Sequence, residues 1–89
     1  MAFKVLLHPS AARDLRKLSE PERTRMKKAL ENLAANPWKT GKQLHPSYFW
    51  SIRSGDYRVI YEINSKENQV IVLFIGHRKK VYDDFSKLL

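Results

Sequence analysis

Seven side chains in the second half of the sequence can carry chemistry at one place: Arg53, Arg58, His77, Arg78, Lys79, Lys80 and Tyr82. Lys42 and His45 stand nearby in the chain. The set offers cations, an imidazole and a phenol, and what is missing around it narrows the chemistry. There is no cysteine, and the three histidines are scattered, so no cluster has metal-ligand spacing. Neither a phosphate-cradling glycine loop nor a serine-centred elbow occurs. Asp83 and Asp84 are adjacent and cannot converge as a paired acid and base. Most ordinary hydrolases are excluded on these grounds, and no metal or cofactor is expected.

Guanidinium groups present forked donors that suit phosphate oxygens. A set rich in them can bind a phosphodiester, and this one also has the groups for cleaving RNA with its own 2′-hydroxyl. That reaction needs a group to take the 2′ proton, cations for the charge on the phosphoryl oxygens, and a group to protonate the leaving 5′ oxygen. The arginines supply charge. His77 and Tyr82 are the candidate proton carriers, although a tyrosine, with an ordinary pKa of about 10, needs cationic neighbours to serve as a base. Lys42, His45, Arg53, Lys79 and Lys80 read as contacts to the nucleic-acid backbone, which demand little geometry. Phe49 is the first ring to consider for stacking on a splayed base.

Positioning falls to the stretch Trp50 to Tyr82, which reads as a three-strand meander ending in a basic, aromatic tail. Turn signals divide it at Ser54-Gly55-Asp56 and at Asn64 to Asn68. A two-residue loop, Gly55-Asp56, sets Ser54 opposite Tyr57, Arg53 opposite Arg58, Ile52 opposite Val59 and Trp50 opposite Tyr61. Side chains alternate across a strand, so this register sorts the hairpin into an apolar face and a second face of Phe49, Ser51, Arg53, Arg58, Ile60 and Glu62. A three-residue loop would pair Arg53 with Tyr57 and mix the two sets. Two arginines directly opposite each other cost of order 0.2–1 kcal/mol, which an anion between them would relieve. Gln69 to Ile75 is a continuous apolar run and reads as the central, most buried strand. Gly76 after it allows a bend or a close backbone approach.

The elements upstream are shorter. Phe3 to Leu7 reads as a strand that is covered on both faces or lies at a covered edge, ended by His8 and Pro9. A helix over about Ser10 to Leu18 places Ala11, Ala12, Leu15 and Leu18 on one side. Ser19, Pro21 and Glu22 form a capping-box start for a second helix that runs to about Ala35 and stops at Asn36-Pro37. Trp38 to Ser47 reads as an irregular basic loop that brings Lys39, Lys42 and His45 to one end of the first meander strand. Asp83 to Leu89 adds at most a final helical turn. The fold class is α+β in one domain, residues 1–89: an N-terminal strand, a helical hairpin, then a three-strand antiparallel meander packed on the helices.

The net charge of +8 and pI near 10 favour a nucleic acid, an acidic protein or an anionic surface as partner. No signal-peptide layout and no apolar stretch of membrane-spanning length is seen, so a soluble cytoplasmic protein without a membrane partner is the expectation.

With these elements in order, the chain resembles the RelE/ParE family of toxins from toxin–antitoxin pairs. The likeness runs from Val5 to Tyr82. It is most specific in Gly55-Asp56-Tyr57-Arg58-Val59-Ile60-Tyr61 and in Gly76-His77-Arg78-Lys79-Lys80-Val81-Tyr82, and the arginine with a following tyrosine is closer to the RelE branch. The resemblance implies a ribosome-dependent mRNA endoribonuclease acting by 2′-hydroxyl attack without metal, partnered by the ribosome, mRNA and a cognate antitoxin in a hetero-oligomer. It implies that Arg58 and Arg78 sit at the scissile phosphate and that Tyr82 is catalytic. Some members carry two lysines where Phe49 and Ser51 stand here, which leaves His77, Tyr82, His45 or Lys42 to take the proton. The alternatives are a ParE-like toxin that binds DNA gyrase without nuclease activity, and a non-catalytic RNA-binding module.

Overall fold

The structure, a computed structural model, describes residues 2–44 and 48–86, the side chains of residues 82–85 excepted. In chain order the elements are β1 (Lys4–Leu7), α1 (Pro9–Lys17), α2 (Glu22–Ala35), α3 (Pro37–Thr40), β2 (Lys42–Gln43), β3 (Trp50–Ser54), β4 (Tyr57–Asn64), β5 (Gln69–His77) and α4 (Arg78–Ser86). The sheet runs β1-β5-β4-β3-β2, with β1 parallel to β5 and the other pairs antiparallel. None of the helices is long and apolar enough to cross a membrane.

The β3–β4 register is the expected one: Arg53 faces Arg58, Ile52 faces Val59 and Trp50 faces Tyr61. Gly55 has φ +62 and Asp56 does not have a positive φ. That is the pattern of a type II′ turn, whose first central position favours glycine. The apolar face of the hairpin lies under α1 and α2, where Ile52, Val59, Tyr61, Val70, Val72 and Ile75 pack on Ala11, Met26, Leu30 and Leu33, with Trp50 half-buried at the margin. Opposite them a second, smaller core joins Ile60 to Val81 of α4, flanked by Leu44, Phe49 and Phe74.

Several details depart from the sequence reading. The central strand is β4, not β5, because β1 and β5 both need a neighbour and β5 takes the place between β1 and β4. A register shift at Ile60/Tyr61 places an extra residue in β5, Leu73, so the apolar run switches face part-way along. β1 is an edge strand, and beside it Val5, Leu7, Leu30 and Ala34 line an open apolar groove of about 410 Å³. The capping box of α2 does not form: the N-cap position falls on Pro21, which has no side-chain acceptor. Glu20 instead accepts hydrogen bonds from Thr24 and Arg23, which hold its carboxyl below the usual range. His8 does more than end β1, since its Nδ1 accepts from the Ser10 amide and caps α1. The expected loop over Trp38 to Ser47 contains α3 and β2, and Asn36 caps α3 by accepting from the Lys39 amide. The C-terminal helix starts at Arg78 because Val81 has a partner in Ile60.

Glycine is needed at the hairpin turn for its torsion, whereas at Gly76 a Cβ would meet none of the described residues within 4 Å. Gly55→Ala should therefore lower unfolding stability by roughly 1–2 kcal/mol, while Gly76→Ala should lose less than about 0.5 kcal/mol. Urea unfolding midpoints with unchanged m-values check both.

Candidate functional site

The site begins with Arg53 and Arg58, held opposite each other by a turn that leaves no freedom of register. Arg53 is exposed, and its Nε donates to the Gly55 carbonyl at 2.9 Å, which ties the guanidinium to the turn. Arg58 is half-buried with its Nε enclosed. The next strand adds a third cation, because β2 pairs Lys42 with Ser51, two residues from Arg53 on the same face. Thr40, Gly41, Lys42, Ser51, Ile52, Arg53 and Arg58 enclose a cavity of about 430 Å³. Among the described residues, no carboxylate lines it. Two guanidiniums and an ammonium around one hollow suit an anion with several oxygens, as a phosphodiester has.

The β5 end of the sheet closes the site. Gly76 pairs with Arg58, and no described atom lies within 4 Å of where its Cβ would stand. Arg78 follows two residues later as the first residue of α4, and its amide donates to the Asp56 carbonyl at 3.0 Å, fastening the helix start to the hairpin turn. α4 then packs by Val81 on Ile60, on the sheet face that carries Arg58. Lys79 and Lys80 are exposed on this helix. Tyr82 lies in α4, four residues beyond Arg78, with its side chain outside the described residues; His45 lies outside them altogether.

Two expected members are placed differently. His77 pairs with Tyr57, and alternation sends both to the helix-bearing face, away from Arg58 and Gly76. Its ring meets that of Tyr57 edge-on at 6.0 Å and its Nδ1 accepts from the Lys79 amide at 3.5 Å. Phe49 is half-buried against Ile60 and Val81, so much of its ring is already used in packing. The exposed aromatics are others, Tyr48 at 88% and Trp38 at 48%, the latter edge-on to Phe3 at 5.1 Å. Neither was singled out from the sequence, since both lie in the segment without periodicity. Tyr61 and Gly41 were missed as well: the Tyr61 phenol donates to the Pro37 carbonyl at 2.8 Å, and burial raises its pKa well above the usual tyrosine range. Among the described residues, no group of histidine, aspartate and glutamate could hold a metal ion.

Residues 5–82 match the family described as the ParE toxin of the type II toxin–antitoxin system parDE. The chain belongs to the RelE/ParE family of type II toxins. It is 32% identical over 87 residues to toxin RelG of Mycobacterium tuberculosis strain H37Rv, covering 92% of this chain and 98% of that one. It is similar to the RelBE2 toxin–antitoxin complex of M. tuberculosis, with a TM-score of 0.80, 30% identity and coverage of 88% of this chain and 100% of the other. An arginine-to-alanine double mutant of the E. coli toxin RelE, solved in the free state, is also similar, with a TM-score of 0.79, 25% identity and coverage of 100% and 99%.

An anion that enters the cavity binds the folded chain alone and must stabilise it. Pyrophosphate at low ionic strength should raise the urea midpoint of the wild-type protein, by about 1 kcal/mol once its concentration is several times the dissociation constant. The rise should shrink in Arg58→Ala and in Lys42→Ala.

Proposed function

We propose that the chain is the toxin of a type II toxin–antitoxin pair and that it cleaves mRNA on the ribosome by attack of the neighbouring 2′-hydroxyl. The observation that carries this reading is the convergence of Lys42, Arg53 and Arg58 on one cavity. Arg58 shares its sheet face with Ile60, on which Val81 of α4 packs, and that helix opens with Arg78. Guanidinium stays protonated and cannot readily act as a base, so Arg58 and Arg78 are assigned to the charge on the phosphoryl oxygens. Lys42 adds a cation from β2 where Phe49 and Ser51 supply none. The 2′ oxygen forms its bond to phosphorus as the bond to the 5′ oxygen breaks, leaving a 2′,3′-cyclic phosphate and a 5′-hydroxyl. These groups provide the charge stabilisation without a metal ion.

Tyr82 is the proposed proton carrier, because it shares α4 with Arg78. His77 drops from that role, since it is on the other face of the sheet beside Tyr57. Arg53, Lys79 and Lys80 are assigned to the RNA backbone, and Tyr48 joins Phe49 as an aromatic available to a base.

An antitoxin is the proposed protein partner, as in the RelBE2 complex to which the chain is similar. The open apolar groove beside β1 and α2 and the high positive charge both support a partner that wraps the toxin, burying on the order of 2,000 Å² or more. The match to ParE toxins, together with Phe49 and Ser51 in place of lysines, favours a second reading: a non-nuclease toxin acting on DNA gyrase.

Translating ribosomes incubated with the protein, followed by mapping of mRNA ends, decide between the two. New 5′-hydroxyl ends paired with cyclic phosphates support the nuclease; intact mRNA with inhibited gyrase supports the other. For the nuclease, Arg58→Ala and Arg78→Ala should each slow single-turnover cleavage by roughly 10²–10³-fold. Tyr82→Phe separates proton transfer from stacking, because it keeps the ring and removes only the hydroxyl. A loss of about 10²–10⁴-fold is expected, and near-full activity in Tyr82→Phe would return the ring to a stacking role.

A further inference from the structure

We propose that Tyr61 is a positioning residue for the cationic cavity: its buried phenol locks α3 and β2 to the sheet and thereby sets Lys42 with Arg53 and Arg58. The functional part of this proposal rests on the reading of the cavity as the RNA phosphate site. The lock itself does not.

Tyr61 stands in the central strand, paired with Trp50 on one side and Val72 on the other, and none of it is exposed. Its ring fills the core as a phenylalanine could. What a phenylalanine could not do is donate to the Pro37 carbonyl at the first residue of α3. At the other end of that helix the phenol meets Gly41. A Cβ built there would lie 2.0 Å from Oη, 2.9 Å from Cζ and 2.8 Å from the Ser51 carbonyl oxygen. Gly41 has φ −112 and ψ −178, an extended backbone that any residue adopts. Glycine is therefore required by space at this position and not by torsion. The phenol thus grips both ends of α3, through a hydrogen bond at Pro37 and through close packing at Gly41.

Such a grip matters because the segment is built of short elements at the edge of the sheet, fastened besides by the Trp38 ring on Phe3 and by the Leu44 amide, which donates to the Phe49 carbonyl. β2 is a two-residue strand at the edge of the sheet. α3 is four residues long, tied to α2 through the Thr40 hydroxyl, which donates to the Asn36 and Asn32 carbonyls. Short edge elements of this kind open at low free energy. Thr40, Gly41 and Lys42, which follow one another in the chain, form a whole wall of the cavity. Where that wall sits decides where the Lys42 ammonium sits. Burial keeps the phenol protonated, so it remains a donor throughout the neutral and mildly alkaline range.

Two variants test the lock from opposite sides: Tyr61→Phe deletes the hydrogen bond, and Gly41→Ala forces the phenol and the strand apart. In the free protein, hydrogen exchange at the amides of residues 41–44 should speed up in both while the amides of Ile71 to Ile75 stay protected. Unchanged exchange at 41–44 in both variants would overturn the lock, whatever the protein binds. The positioning role is read from the salt dependence of binding to a short single-stranded RNA. Each phosphate contact made by a cation adds a little under one to the slope of log K against log salt. Lys42→Ala should lower that slope by about one. Tyr61→Phe changes no charge, so a merely structural role gives it no reason to alter the slope. The proposal expects it to lower the slope nearly as much as Lys42→Ala, and the double variant to lower it no further. A wild-type slope in Tyr61→Phe would overturn the positioning role. Failure of the wild-type protein to bind RNA would overturn the functional part and the site reading beneath it, while the exchange result still decides the lock.

Discussion

Everything at the site depends on one pairing, Arg53 across from Arg58. A one-residue slip of β3 against β4 would send Arg53 under the helices and Ile52 onto the face of Arg58, because the side-chain period of a strand is two. The slip is blocked twice. Gly55 closes the turn in a conformation that other residues adopt at a cost, and Ile52, Val59 and Tyr61 have a fitted core to fill. The apolar face therefore enforces the like-charge pair on the other face. Burial of three large side chains is worth several kcal/mol, against a repulsion of order 0.2–1 kcal/mol.

The two faces of the sheet are unequal, and function follows the weaker one. On the helix-bearing face, α1 and α2 cover an extended core; on the other, among the described residues, α4 meets the rest of the chain through Val81 on Ile60 and through the Arg78 amide on Asp56. A small second core is enough to bring α4 onto the Arg58 face without closing that face over. Ser51 and Ile60 are buried on this face, while Arg53 stays exposed. Charged groups gather where apolar cover ends.

The sequence made the hairpin legible because three signals agreed there: a glycine turn, period-two alternation and a charged pair that only one register placed together. α1 and α2 were legible from their apolar spacing, to within a residue or two at their ends. Legibility failed where an element is fixed by a distant partner. α4 helps to hold the site because Val81 meets Ile60, and no local pattern announces that contact. His77 looked like part of the basic cluster because it adjoins Arg78 in sequence. Strand alternation, applied from Arg58 through Gly76, would have put it on the other face. The α3–β2 wall was hidden most completely, since its organising residue, Tyr61, reads as an ordinary core aromatic.

The third cation shows how the sheet can supply a function from more than one strand. Neither Phe49 nor Ser51 can bring charge to the face of Arg58, and Phe49 is turned to packing against α4. The neighbouring edge strand offers Lys42 directly across from Ser51, at nearly the same height on the sheet. A cation on an edge strand has more freedom than one on a central strand, and freedom costs entropy when a ligand must be gripped. The chain meets that cost with a buried hydroxyl and a glycine, Tyr61 and Gly41, which contribute no charge to the cavity. Charge and its placement are thereby separated: Lys42 carries the first, and the core beneath it carries the second.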